Sequence, residues 1–225
     1  MTATEETIGY YDDNAKKFIA DTANVEFGAL QKAFADMLPE GGRILDLGCG
    51  SGRDSLAFLK AGFSVDAVDG SAEMVKAASE LTGLRVAYTT FADFEPKGEY
   101  DGIWACSSLL HVPAAELPAI VSKYAAALKP GGRFYLSFKI GEHDGMRNGR
   151  WFTDMTEQSF RRLIDDVKDL TVDRIDVTSD VRPGRSDEKW LNAWCTRSLS
   201  ECLTRPGDDR CSRKPIDAKH RKKTK

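Results

Sequence analysis

"RILDLGCGSGRDS", residues 43–55, runs from an apolar strand-like segment, Ile44 to Leu47, through three alternate glycines, Gly48, Gly50 and Gly52, into a segment with helical spacing. Three glycines in five residues let the backbone turn tightly and approach a ligand with no Cβ in the way. The nicotinamide fingerprint has the form G-x-G-x-x-G, whereas here the third glycine is Gly52 and Arg53 stands where the fingerprint would put it. Asp46, two residues before the first glycine, opposes a pyrophosphate and suits a ligand that carries positive charge.

Working outward, residues 43–196 alternate short apolar runs with amphipathic ones, the pattern of β-α-β units around a largely parallel sheet. Strands are predicted at 43–47, 64–68, 84–88, 101–106, 133–139, 170–178 and 189–196. A helix over Arg53–Ala61 should close at Gly62, and Ser71 should cap one that ends near Gly83. Leu117, Ile120, Val121, Tyr124 and Leu128 share one helical face, as do Phe160, Leu163, Ile164 and Val167 after Thr156. Two leading helices, through "YYDDNAKKFIAD" and "FGALQKAFADML", fall within residues 1–40, and residues 1–203 form one domain.

The 225 residues are 41% hydrophobic, enough for one sizeable core. No apolar run approaches the roughly 18 to 20 residues of a membrane span, and the N-terminus lacks the basic-then-apolar order of a signal region, so a soluble, cytoplasmic protein is expected. Five cysteines without a CxxC pair and three scattered histidines argue against disulfides and against a metal site. The net charge of −3 conceals an asymmetry: residues 204–225 hold nine Lys or Arg against three Asp or Glu, about +6, which leaves about −9 for the rest. That basic stretch has few apolar residues to pack and is read as a flexible tail.

Two further acids fall at strand ends. Asp69 closes "SVDAVD", 17 residues beyond Gly52, where a carboxylate can accept hydrogen bonds from ribose hydroxyls. Asp93 follows the third predicted strand in "TTFADFE", where an acid can meet the exocyclic amine of an adenine. "LDLGCGSGRDS", "VDAVDGSAEM", "FADFE", "YDGIWACSSLLHV" and "LKPGGRFYLSF" resemble, in order and spacing, the class I S-adenosylmethionine-dependent methyltransferases over about residues 8 to 196. The resemblance implies a Rossmann-like α/β fold, a seven-stranded sheet of order 3-2-1-4-5-7-6 with the last strand antiparallel and helices on both faces. It also implies S-adenosyl-L-methionine as cofactor. Asp46 and the backbone of Gly48, Cys49, Gly50 and Gly52 would hold its methionine part, and Asp69 its ribose. Gly70, Ser71 and Met74 would flank the adenine, Asp93 and the Phe94 backbone would read its edge, and Cys106 and Ser107 would lie near the sulfonium. Tyr10 and Tyr11 on the leading helix would lid the cofactor, as an equivalent aromatic does in related enzymes.

Ligands of open α/β sheets gather at the carboxyl ends of the strands, so residues there that the cofactor does not need are candidates for the acceptor. They are Ser107, Ser108 and His111 after strand four, and Lys139, Glu142, His143 and Asp144 after strand five. His111 and His143 are the candidate catalytic bases, the latter in the more polar setting. The polar stretch "IGEHDGMRNGRWFTD" reads as a substrate loop offering Arg147, Arg150, Trp151 and Phe152. Because transfer from a sulfonium needs mainly positioning, a missing catalytic motif does not count against catalysis. The leading function is methyl transfer to a small-molecule acceptor. An RNA or tRNA methyltransferase, which would use the basic tail and the "GRWF" stretch, and a non-catalytic cofactor-binding regulator are the alternatives. The Asn-Pro-Pro-Tyr type motif of amino-group nucleic-acid methyltransferases is absent where "ACSSLL" stands. The oligomeric state is left open.

Overall fold

A computed structural model describes residues 2–22, 27–182 and 184–199 of the chain. The predicted basic tail therefore lies outside the described residues. Strand β1 (Arg43–Leu47) is buried on both faces from Ile44 onward, as its unbroken apolar run requires, and pairs in parallel with β2 (Ser64–Asp69) and β4 (Tyr100–Ala105). The remaining sheet strands are β3 (Ala87–Tyr88), β5 (Leu128–Lys139), β8 (Leu170–Ser179) and β9 (Lys189–Arg197). The sheet order is β3-β2-β1-β4-β5-β9-β8, with β9 antiparallel to both neighbours. Counted over sheet strands alone, this is the expected order and the expected antiparallel last strand.

Helices cover both faces. Helices α5 (Leu117–Ala126) and α6 (Glu157–Asp165) bury Leu117, Tyr124, Phe160 and Leu163 against one side. On the other, α2 (Gly28–Ala35) and α3 (Arg53–Lys60) contribute Phe34 and Phe58 to a cluster with Trp104, Tyr135 and Trp194. Trp104 stacks on Tyr135 with ring centroids 4.0 Å apart. Helix α4 (Ala72–Thr82) begins at Ser71, whose hydroxyl accepts from Met74 N, and ends at left-handed Gly83, as its sequence predicts.

Three departures from the sequence reading have local causes. The third strand shortens to two residues at the sheet edge, where Tyr88 is exposed. Strand β5 starts at Leu128 rather than 133, because "KPGG" is accommodated as an irregularity: Tyr100 pairs with Leu128, and the next pair is Gly102 with Arg133. Finally, the supposed substrate loop is a β-hairpin, β6 (Asp144–Arg147) with β7 (Arg150–Thr153). Its turn is Asn148-Gly149, with φ of 52° and 79°, the two left-handed residues that a type I′ turn demands.

Candidate functional site

A cavity of about 450 Å³ runs along the carboxyl edge of the sheet, from Asp69 after β2 to Asp180 after β8. The glycine turn forms its floor. Gly48 has φ of 80° and so close an approach to the next loop that an added Cβ would lie 2.5 Å from Ser108 Cβ. Gly52 caps α3 at φ of 85°, where a Cβ would meet Ala78 of α4 at 3.0 Å. At Gly50 an added Cβ would meet only Phe18, at 4.0 Å, so this part of the turn lies open. The turn is tied to the next strand: Gly48 N and Cys49 N both donate to Val68 O, and Gly50 N donates to Asp69 Oδ2 at 2.8 Å.

Asp69 also accepts from Ser71 N at 2.9 Å. Burial raises its pKa, while those two backbone donors favour the ionised form. Gly70, Ser71, Met74, Cys49, Cys106 and Ser107 line the cavity with it, as the sequence reading places them. Asp46 stands behind the turn rather than in the cavity wall: it is buried, accepts from Ser55 Oγ at 2.5 Å, and has its carboxyl raised to about 8 by burial and by the neighbouring charge of Asp54. Burial pushes the Cys106 thiol up to about 12, with Asp54 adding to the rise, so it stays protonated at neutral pH.

Other predicted residues lie elsewhere. Asp93 is exposed and accepts from Thr90 Oγ1 at 2.7 Å, closing its own turn; Phe94 packs on the core, and neither lines the cavity. Thr90 and Phe91 stand in their place, because the short β3 hands over to a turn whose first residues, not its last, face inward. His143 is exposed before the hairpin, with Nε2 3.2 Å from Gly145 O, and is not brought to the site. Strand alternation explains the hairpin. Arg150 and Phe152 face the cavity, whereas the Trp151 indole donates to Asp144 Oδ1 and Thr153 Oγ1, outside it. Arg147 forms a two-pronged ion pair with Asp154, both bonds 2.8 Å, and Glu142 is exposed away from the cavity.

Helix α1 (Ala3–Thr22) lies over the cavity and is bonded to both ends of it. Asp12 Oδ1 accepts from Ser71 Oγ at 2.6 Å, and Thr7 Oγ1 accepts from Trp151 N at 2.9 Å. Tyr11 lines the cavity from this helix, so the aromatic expected there is in place; Tyr10 packs outside, against the hairpin. His111 Nδ1 lies 2.6 Å from Trp151 O, an acceptor only, so Nδ1 holds the proton and Nε2 accepts from Tyr11 Oη at 2.8 Å. Tyr11 Oη in turn accepts from Arg150 Nη1 at 3.3 Å. Burial, with the charges of Arg150, Arg147 and Lys139, lowers the His111 pKa to about 4. His111 lines the cavity with both ring nitrogens engaged, and so ties α1 to the hairpin.

The folded imidazole therefore stays neutral where the unfolded one, with a pKa of about 6.5, takes up a proton. This contribution to stability is present above about pH 6.5 and is lost as pH falls toward 4. His111→Leu is expected to be less stable than the parent at pH 7.5, by about 1–2 kcal/mol for the stranded tyrosine hydroxyl and carbonyl. That deficit should narrow at pH 5. Urea unfolding at the two pH values checks it, and a deficit that stays constant or widens would contradict the assignment.

Sequence reading missed Asp54, which lines the cavity, and the far wall: Thr178, Ser179, Asp180, Arg182, Trp190 and Asn192. The wall follows from topology, since an antiparallel β9 puts the β8–β9 connection at the same edge as the glycine turn.

Residues 44–132 match the family described as "Methyltransferase domain". With the strand order and the glycine turn, this defines a protein with the fold of the class I S-adenosylmethionine-dependent methyltransferases. The chain is 36% identical over 115 residues to a ubiquinone biosynthesis O-methyltransferase of Xanthomonas axonopodis pv. citri (strain 306), covering 48% of this chain and 47% of that protein. It is 32% identical over 133 residues to the 2-methyl-6-phytyl-1,4-hydroquinone methyltransferase of Synechocystis sp. (strain ATCC 27184 / PCC 6803 / Kazusa), covering 56% and 41%. The matched region thus spans about half the length, or less, of these curated relatives. Among solved structures, the 1,6-didemethyltoxoflavin-N1-methyltransferase of Burkholderia thailandensis superimposes with a TM-score of 0.66 over 85% of each chain at 21% identity.

Proposed function

We propose that the chain is an S-adenosyl-L-methionine-dependent methyltransferase whose acceptor is a small molecule. The observation that carries this reading is the continuity of one cavity, from a glycine turn and an acidic strand end to a separate wall of aromatic and cationic side chains. The donor set fits the cofactor. Asp69 has its backbone bonds on one side and the cavity on the other, the turn at Gly50 is open, and Ser108 Oγ lines the cavity, buried without a hydrogen-bond partner.

Bound there, the cofactor would supply a methyl group on a positive sulfur, activated toward displacement by a lone pair of the acceptor. The chain's own residues bind and position. Asp69 would accept from the ribose hydroxyls, the turn backbone would hold the amino-acid part, and Thr90 and Phe91 would border the adenine. Helix α1 would exclude water. Orienting two reactants in this way contributes about 7–11 kcal/mol to lowering a barrier, so no nucleophilic side chain is required. A volume of about 450 Å³ lies in the range of about 300–1,000 Å³ usual for small-ligand sites. Relatives and structural neighbours with a named acceptor include methyltransferases of a phytyl hydroquinone, of 1,6-didemethyltoxoflavin and of magnesium protoporphyrin IX, all small molecules.

Calorimetric titration tests the reading. The protein should bind S-adenosylmethionine and S-adenosylhomocysteine and not NAD. Binding of NAD in the absence of binding of either adenosyl ligand would overturn it.

A further inference from the structure

The cations of the cavity wall differ in one respect. Arg53 is paired with Asp54, Lys139 with Glu188, Arg182 with Asp180, and Arg185 lies 3.6 Å from Glu188. Arg150 also lines the cavity, yet among the described residues no carboxylate lies within ion-pair distance of it. Its guanidinium is instead held by ring faces, 4.4 Å from the Tyr10 centroid and 5.1 Å from that of Phe152. Only Nη1 finds a protein acceptor, the Tyr11 hydroxyl, and Nε is enclosed with no hydrogen-bond partner. An enclosed Nε without an acceptor, on a half-buried guanidinium whose planar fork matches a carboxylate, favours an anion that completes it.

Phe152 and Trp190 line the same part of the cavity; Phe152 is buried, with the Arg147 guanidinium 4.3 Å from its centroid, whereas Trp190 is only half-buried. Lys139 lies 5.8 Å from the Phe152 centroid and 5.6 Å from that of Trp190, so the positive field extends over both rings even though Glu188 engages its ammonium. We infer that the acceptor is an aromatic or conjugated carboxylate, its acid group held by Arg150 and its apolar body against the half-buried Trp190 side of the cavity wall. The inference rests on the methyltransferase reading, and it assigns Arg150 to the acceptor rather than to the cofactor. The hairpin's type I′ turn and the Tyr11–His111 bonds then serve to hold Arg150 in place.

Three acids, salicylate, 4-hydroxybenzoate and cinnamate, each with its neutral amide, are titrated calorimetrically into the full chain, with and without saturating S-adenosylhomocysteine. At least one acid should bind about tenfold or more tightly than its amide, the usual worth of a hydrogen-bonded charge. Arg150→Met should erase that preference, Arg150→Lys should keep part of it, and Arg161→Met, on the exposed face of α6 and outside the cavity, should leave it intact. The dissociation constant for S-adenosylhomocysteine alone should change by no more than about twofold in Arg150→Met. If that variant is unstable by circular dichroism, Arg150→Gln replaces it. No acid favoured over its amide, or a preference that survives loss of Arg150, overturns the inference. So does a large loss of S-adenosylhomocysteine binding, which would assign Arg150 to the cofactor. Failure of the wild type to bind S-adenosylhomocysteine would overturn the methyltransferase reading instead, and the acid–amide comparison without it still decides the anion site.

Discussion

Asp54→Ala is expected to destabilise the fold by about 3 kcal/mol, the largest loss from any single polar side chain near the cavity. Asp54 opens helix α3 directly behind the glycine turn, where a negative charge also suits the positive end of the helix dipole. Its two oxygens accept from Gln31 Nε2 at 2.6 Å, Arg53 Nε at 2.7 Å, Arg53 Nη2 at 3.1 Å and Trp104 Nε1 at 2.8 Å. Trp104 is fully buried between Tyr135 and the phenylalanines of α2 and α3, so its indole N–H cannot turn to water once the carboxylate is gone. Arg53 is less committed: it is a quarter exposed and rests 4.0 Å from the Phe27 ring centroid, so it can rehydrate. The indole and the loss of the α2–α3 tie through Gln31 therefore dominate. Urea unfolding followed by tryptophan fluorescence measures this, and Asp54→Asn, which keeps an acceptor for Trp104, should recover more than half of the loss. A loss under about 1 kcal/mol for Asp54→Ala would show that the network relaxes around the gap.

What the sequence made legible follows from the range of the forces involved. The strand positions and the helix ends could be read because β1 is a continuous apolar run and Ser71 and Gly83 carry local chemistry that acts within a turn, whereas the strand order came from the family resemblance. Asp69 could be read because its role depends on a short connection to the glycine turn. Asp54 could not: nothing in "GRDS" shows that its partner is an indole 50 residues away. His111 and His143 both stood as candidate bases, with His143 in the more polar setting, and the fold reverses their access: His111 lines the cavity, bonded to Trp151 O and Tyr11, while His143 is exposed away from it. The hairpin itself was legible, since Asn148-Gly149 between alternating residues is a strong turn signal. Reading the stretch as a loop concealed that Arg150 and Phe152 must share a face opposite Trp151. Asp93 stands outside the cavity because its carboxylate turns back to accept from Thr90 Oγ1, a local bond that its sequence position alone does not reveal.

Asp69→Ala should weaken binding of S-adenosylhomocysteine by about 1–3 kcal/mol, roughly five- to 150-fold, while leaving the fold standing. In the protein its carboxylate accepts from Gly50 N and Ser71 N, and both donors belong to the turn and helix start that border the cavity. Removing it strands those two N–H groups, but they face the cavity and can take water, so the cost in stability should be small beside that of Asp54→Ala. The cost in affinity is different in kind. A ribose hydroxyl pair facing alanine loses a charged acceptor and gains none of equal strength, since the Thr90 and Ser71 hydroxyls are neutral and already accept from Asp93 N and Met74 N. Asp69→Asn should fall between the two, because its amide keeps one acceptor and presents a donor where Gly50 N and Ser71 N already donate. Calorimetry against S-adenosylhomocysteine, with circular dichroism to confirm folding, separates these effects. An unchanged dissociation constant in the alanine variant would show that Asp69 serves only to brace the glycine turn.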